Sequence, residues 1–289
     1  MDSVTLFWTL LSTLFAGVHL FVHKVVAHEK RSSAFNGMLG YGIAGVIAVS
    51  IAIVTSSVPE RWVVVGVIAL LAGVTHGVGN FVRIESLKYI DSVLYFPISK
   101  VLGPLIVLIG GVAFFGDSLT ALQYLGVLLS ISVPLLLVSS VEKHRQNNLY
   151  LGSVYLVVAT VLTAGSALLT KQALFTGDAF WFVLTIGQVA GASSSIAILL
   201  RQHGREIRRT LVVDFREVYL GVLGGVIGFC SIFSLLKALD TGAVSLVYTI
   251  NAHYILVPIV LSVWWYGEHI SLRKVAAVAV SFLAIALLV

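Results

Sequence analysis

The chain has 289 residues, 58% of them hydrophobic and only 11% charged, with a mean hydropathy of +1.03. Soluble domains run at about 45–50% apolar and about 25% charged, so the chain lacks the polar surface that a soluble fold of this length needs. Soluble enzymes and nucleic-acid binders are excluded. The net charge of +5 is scattered through connecting segments, where it sets orientation in a membrane. The lone cysteine, Cys230, allows neither an intrachain disulfide nor a cysteine metal cluster.

A helix needs about 20 mostly apolar residues to cross a bilayer. In chain order the stretches that qualify are Val4–Val26, Ala34–Val54, Trp62–Val82, Ser92–Phe115, Thr120–Val138, Leu149–Leu174, Ala179–Leu200, Val218–Leu236, Ala243–Tyr266 and Ser271–Val289. They are too continuous for barrel strands, which alternate with period two. Met1-Asp2-Ser3 lacks the basic start of a secretory signal, and Val4–Val26 outruns its apolar core, so the first stretch reads as a permanent span. The third is expected to continue to Tyr89, since neither Gly nor Pro interrupts Arg83–Tyr89.

The sequence repeats itself at a spacing of roughly 150 residues. Gly116-Asp117-Ser118-Leu119-Thr120 precedes the fifth span and Gly267-Glu268-His269-Ile270-Ser271 the tenth, each after an aromatic pair. Ser86-Leu87 matches Ala238-Leu239, and the pair Gly17/Lys24 matches Ala164/Lys171. Five spans per repeat is an odd number, so the second half enters the membrane from the opposite side. The expected fold is therefore all-α and integral to the membrane: ten transmembrane helices in two inverted five-helix repeats, over residues 1–140 and 149–289.

On these features the chain resembles the ten-helix drug/metabolite transporter superfamily, particularly its EamA-type members, over essentially its whole length. The carriers are the small-residue-to-lysine spacing in helices one and six, the Ala-Leu-type ending of helices three and eight, Pro104 and Pro258, and the turns Gly116-Asp117 and Gly267-Glu268. Ala16-Gly17 stands where Trp-Gly is usual and Asp117 where Glu is usual. The resemblance implies metabolite transport, often export, without ATP hydrolysis.

Lys and Arg gather after the odd-numbered spans, most densely in Arg201, Arg205, Arg208, Arg209 and Arg216. The other side carries Arg61, Lys171 and Lys237. The positive-inside rule then puts both termini outside the cytoplasm, whereas the resemblance implies cytoplasmic termini.

Ionisable groups within spans are expensive and mark pathways. Lys100, in Tyr95-Phe96-Pro97-Ile98-Ser99-Lys100, lies about 12 Å of helical rise into the fourth span, where it can pair with a substrate carboxylate or phosphate or else snorkel to the interface. The matching stretch of the ninth span holds Tyr248, Asn251 and His253, and the repeat offset sets Ser99 against Asn251. Tyr248 and Asn251 share a helix face. They suit either a small polar ligand or an interhelical hydrogen bond. His76, Asn80 and Arg83 form one stripe of the third span, able to line a water-filled cavity with Arg83 at its mouth or as an interface anchor. His19 and His23, one turn apart, lack a third ligand, so no metal is read. Glycines of helices three and eight permit close packing. Asp117 and Glu268 are expected to cap the turns into helices five and ten.

Every acidic residue falls at a helix end or in a connection, which disfavours carboxylate-centred cation antiport. The reading is a secondary transporter, an exporter or exchanger, of a small anionic or zwitterionic metabolite such as an amino acid or organic acid. It would sit in the cell membrane and work by alternating access around a cavity bounded by helices three, four, eight and nine. The candidate substrate-binding residues are Lys100, Asn251, Ser99, Tyr248, Tyr95, His76, Asn80, Arg83 and His253. The partners are a small-molecule solute and the lipid bilayer, with proton or counter-substrate coupling, monomeric or homodimeric, and no nucleic acid or cofactor. A channel or a non-transporting membrane sensor is the alternative. An intramembrane enzyme is a further one, although no nucleophile–base pair or metal motif is present.

Overall fold

The computed structural model describes residues 1–55, 58–90, 92–137, 148–177, 179–203, 214–258, 260–261 and 271–289. Every element among them is helical: α1 (Ser3–His28), α2 (Ser33–Thr55), α3 (Trp62–Tyr89), α4 (Ser92–Phe115), α5 (Ala121–Leu137), α6 (Leu149–Thr176), α7 (Phe180–His203), α8 (Phe215–Thr241), α9 (Val244–Asn251) and α10 (Leu272–Leu288). A 3-10 turn over Ala252–Ile255 follows α9. Among the described residues, seven helices (α1–α4 and α6–α8) are long and apolar enough to cross a bilayer, and the others are shorter. The protein is an all-helical integral membrane protein.

The polarity pattern is that of a chain folded in lipid. Large apolar side chains such as Ile53, Phe114, Phe175 and Phe282 stand on the outer surface, while hydroxyls are buried. Those hydroxyls have no water to turn to, so they bond carbonyls one turn back in their own helix. Thr9 donates to the Thr5 carbonyl at 2.7 Å, Thr160 to Leu156 at 2.8 Å and Ser281 to Ala277 at 2.8 Å.

α1 lies along α8 and α3 along α6; α2 packs on both α7 and α8, α7 also on α3, α4 on α6 and α9, and α5 on α10. Glycine sets two of these approaches. A Cβ on Gly73 of α3 would collide with Gly187 and Ala190 of α7, and one on Gly225 of α8 would meet Gly40 and Ile43 of α2 at 2.9 Å. The glycines of helices three and eight thus serve contacts to α7 and α2.

α3 runs to Tyr89 as expected. The ninth span, expected over Ala243–Tyr266, is α-helical to Asn251, tightens to a 3-10 turn over Ala252–Ile255 and is α-helical again over residues 256–258, while 262–270 lie outside the described residues. Pro258 has no N–H to offer the carbonyl of Tyr254 four residues back, and its ring clashes with that carbonyl, so the preceding turn tightens. Gly17 of α1 fits against this turn, where a Cβ would strike Val257 and the Tyr254 carbonyl.

The turn into α5 is also capped differently from expectation. Thr120 and Gln123 cap each other's backbone, with Gln123 N donating to Thr120 Oγ1 at 3.3 Å and Thr120 N to Gln123 Oε1 at 3.0 Å. Asp117 instead accepts from Ser245 N at 2.9 Å. It caps the start of α9, where the helix dipole welcomes a carboxylate. Gly116 turns the chain there with a φ of 68°, which favours glycine. Ser271 caps α10 through Lys274 N at 3.4 Å, while Gly267 and Glu268 lie outside the described residues.

Candidate functional site

A cavity of about 120 Å³ lies inside the bundle, lined from α1, α2, α3, α6, α7, α8, α9 and the turn after it. α4 supplies none of the lining, contrary to the expectation that helices three, four, eight and nine would bound it. The proline-bearing α4 packs outside α6 and α9, one layer from the chamber.

The α3 stripe is brought to the wall complete, with His76, Asn80 and Arg83 all lining the cavity. Asn80 Nδ2 donates to Tyr41 Oη of α2, and Tyr41 Oη in turn donates to the His76 carbonyl at 3.3 Å. Tyr248 and Asn251 also line the cavity. Asn251 Nδ2 donates to Ser12 Oγ at 2.9 Å, and Ser12 donates to the Ser231 carbonyl at 3.2 Å. The amide therefore ties α9 to α1 and α8 as well as facing the chamber.

The remaining four expected residues do not reach the wall. Ser99 donates to the Phe96 carbonyl of its own helix at 3.1 Å. Tyr95 is fully buried beside Phe96. His253 turns Nδ1 back on the Thr249 and Ile250 carbonyls at 3.2 and 3.1 Å. Lys100 is buried with Nζ 3.5 Å from the centroid of the Tyr254 ring, a cation–π contact worth about 2 kcal/mol when desolvated. Tyr254 lines the cavity, so Lys100 stands behind the wall and acts on it through that ring.

Several lining residues were not singled out for substrate from sequence: His19 and His23 of α1, Asn36 and Tyr41 of α2, Thr170 of α6 and Gln188 of α7. The α2 set was legible. Ser33, Asn36, Gly37, Gly40, Tyr41 and Ala44 recur at three- and four-residue steps, a small-and-polar stripe on an otherwise apolar helix.

Arg83 is the cation of this wall, and it faces the phenols of Tyr95, Tyr248 and Tyr254. No carboxylate lines the cavity among the described residues. At the mouth, Glu85 accepts from Ser33 Oγ at 2.5 Å and pairs with Lys88 at 2.7 Å. The rings of His19 and His23 are 4.3 Å apart, but no group of three His, Cys, Asp or Glu among the described residues is placed to hold a metal.

Each end of the cavity is fastened. Beyond Ser33, Arg31 pairs with Asp214 at 2.6 Å, Arg216 with Glu29 at 2.6 Å, and Ser32 N donates to Glu217 Oε1 at 3.1 Å. The hydrogen bond from Arg216 holds the Glu29 carboxyl below the usual carboxylate range, and Arg31 does the same for Asp214. At the other end, beside Thr170 and Leu239, Lys171 Nζ donates to the Leu239 and Gly242 carbonyls at 2.5 and 3.0 Å. Lys171 thus clamps the end of α6 to the last carbonyls of α8.

A polytopic helical membrane protein with a polar, cation-bearing chamber is the class that this geometry defines. Residues 150–289 match the model of the EamA-like transporter family. That match, over the second half of the chain, supports the drug/metabolite transporter superfamily, EamA type. No curated protein matches it. Among solved structures 29 chains match. One, described only as "Crystal structure of protein", is 14% identical with a TM-score of 0.77, over 99% of this chain and 98% of that one. At that identity the likeness concerns the fold alone.

Proposed function

We propose that the protein is a secondary transporter of the cell membrane, an exporter or exchanger, that carries a small anionic or zwitterionic metabolite by alternating access. The observation that carries this reading is Arg83 on the wall of a central chamber, with no carboxylate beside it among the described lining residues. A guanidinium inside a membrane protein that meets phenols but no carboxylate among the described lining residues is costly unless a counter-anion visits it.

Two inverted five-helix repeats are the architecture behind this mechanism, and the packing supports them. The main helix pairs are unchanged when each of α1–α5 is exchanged with the helix five places on: α1–α8 becomes α6–α3, α2–α8 becomes α7–α3, α4–α6 becomes α9–α1, and α2–α7, α4–α9 and α5–α10 map onto themselves. The caps Thr120 and Ser271 correspond under the same exchange. The cavity lies between the repeats and is fastened at both ends, so rocking one repeat against the other would free one end at a time.

The test is counterflow into liposomes holding the purified protein, screened with labelled amino acids, organic acids and sugar phosphates. Saturable flux stimulated by internal solute is expected, and Arg83→Gln, Lys100→Ala and Asn251→Ala are expected to abolish it while the protein still inserts and folds. Flux at the wild-type level in all three would overturn the site. Unsaturable conductance would make the protein a channel, and chemical conversion an enzyme.

A further inference from the structure

We propose that the chamber takes a compact dianion and rejects zwitterions, holding one anionic group on Arg83 and the other on the His19–His23 pair with the Asn36 amide. This rests on the transporter reading and narrows its substrate.

The first ground is the set of unused polar atoms. His23 Nδ1, Asn36 Nδ2 and Asn80 Oδ1 have no hydrogen-bond partner, although each residue is only 4% exposed and lines the cavity. A buried polar atom left unsatisfied costs about 1–3 kcal/mol, so the two that can donate, on α1 and α2, mark where an anionic group binds, whereas Asn80 Oδ1 on α3 only accepts. Asn36 Nδ2 is a donor, and His23 Nδ1 becomes one in the appropriate tautomer or when the ring is protonated. A second anionic group is what such donors serve.

The second ground is charge. Arg83 and three imidazoles, His19, His23 and His76, lie within electrostatic reach of one another. An ammonium group would enter this chamber with no carboxylate among the described lining residues to receive it. A dianion has the opposite fit. With Arg83 and one imidazolium it forms a neutral set, which leaves neither cation as an uncompensated buried charge.

The third ground is size. A cavity of about 120 Å³ is slightly smaller than the ~150 Å³ engineered cavity that holds benzene. Cargo no larger than about the size of benzene fits that space, the scale of a three-carbon diacid.

Binding is then linked to protons. The groups facing the imidazole pair are His76 and Arg83 from α3, Tyr41 from α2, and Tyr248 and Tyr254 from α9 and its following turn, with the paired Glu85 and Lys88 at the mouth; α6, α7 and α8 contribute no titratable lining group among the described residues. Imidazole is the side chain among these whose ordinary proton affinity lies nearest neutral pH. An anionic group set against the pair favours the imidazolium, so binding takes up a proton, and by reciprocity protonation tightens binding.

The experiment is calorimetric titration of the full-length protein in lipid nanodiscs with malonate, lactate and alanine. Malonate is expected to bind at least about tenfold more tightly than lactate, and alanine not at all. Malonate affinity should fall about tenfold from about pH 6.5 to about pH 8, with a heat that depends on buffer ionisation because a proton is taken up. His23→Gln keeps a donor and should still bind malonate but lose the buffer-dependent heat, which a merely structural histidine would not alter. Asn36→Asp should abolish malonate binding. Alanine binding as tight as malonate, absence of malonate binding, or malonate binding without proton uptake overturns the dianion site. Counterflow separates this from the broader reading: saturable alanine flux defeats the dianion site and leaves the transporter, whereas malonate that binds and is never carried defeats the transporter and leaves the site.

Discussion

The two ends of the chamber are closed by different chemistry. At one end the α1–α2 connection is held to the start of α8 by ion pairs: Arg31–Asp214, with side chains 21% and 48% exposed, and Arg216–Glu29, at 56% and 23%. At the other end Lys171 is drawn inward onto the last carbonyls of α8. Beside it, Thr5 Oγ1 and Thr241 Oγ1 share a hydrogen bond at 2.6 Å, and Lys237 Nζ lies 4.1 Å from the centre of the Phe180 ring. The ion pairs at the first end are partly exposed and screened by solution, with only Glu217 among the carboxylates there buried, whereas Lys171 at the second is bound to backbone carbonyls. A carrier built this way has one face whose latch responds to the solution and one whose latch responds mainly to packing.

The largest effect expected from that asymmetry is all-or-none. The face that holds Lys30, Arg31, Lys88 and Arg216 is the opposite of the face that holds the chain termini, where the Met1 ammonium meets the Val289 carbonyl at 2.9 Å. If the positive-inside rule governs, the wet latch is cytoplasmic and the termini are external. A cysteine at Ser3, in a Cys230→Ser background, should then react with an impermeant maleimide in intact cells. Labelling only after permeabilisation would place the wet latch outside.

The bundle was legible in the sequence because lipid demands long apolar helices, and the odd–even alternation of basic connections followed from the span count. The α3 stripe was legible too, because a helix converts three- and four-residue spacing into a face. Lys100 shows where that reasoning stops. Its burial in α4 agrees with its position in the span, but whether α4 faces the chamber depends on packing, and α4 sits behind α9. Asp117 shows the same limit: adjacency pointed to α5, while its carboxylate reaches α9, 128 residues on in sequence. The tightened turn after Asn251 lay in plain view at Pro258. The imidazole pair was visible as spacing, yet its importance comes from Asn36 and Arg83 arriving from other helices.

The next effect in size belongs to the dry end. Lys171→Met removes both donors from the Leu239 and Gly242 carbonyls and leaves them without the charge-assisted partner seen here. An unsatisfied buried acceptor costs about 1–3 kcal/mol, and the lower part of that range applies because Lys171 is only partly buried. Thermal unfolding in detergent should shift down measurably. Lys171→Arg, which keeps the donors, should restore most of the loss. Equal melting of Lys171→Met and the wild type would show that the clamp adds nothing, and the contrast between the ends would vanish.

The smallest effect is expected at the wet end. Exposed ion pairs contribute little and are screened by salt, so Glu29→Gln should change exchange rates by no more than about twofold, and high salt should mimic it in the wild type. The pH dependence separates this latch from the chamber. Glu29 and Asp214 have carboxyl groups lowered below their ordinary values by Arg216 and Arg31. A lowered folded-state value means that the stabilisation is complete above the ordinary carboxylate range and is lost only as acid passes below it. Between about pH 6.5 and about pH 8 the latch therefore contributes no titration, and any pH dependence of flux in that window belongs to the imidazoles. If Glu29→Gln flattens the neutral-pH profile while His23→Gln leaves it intact, the pH-sensitive element lies at the mouth and not in the chamber.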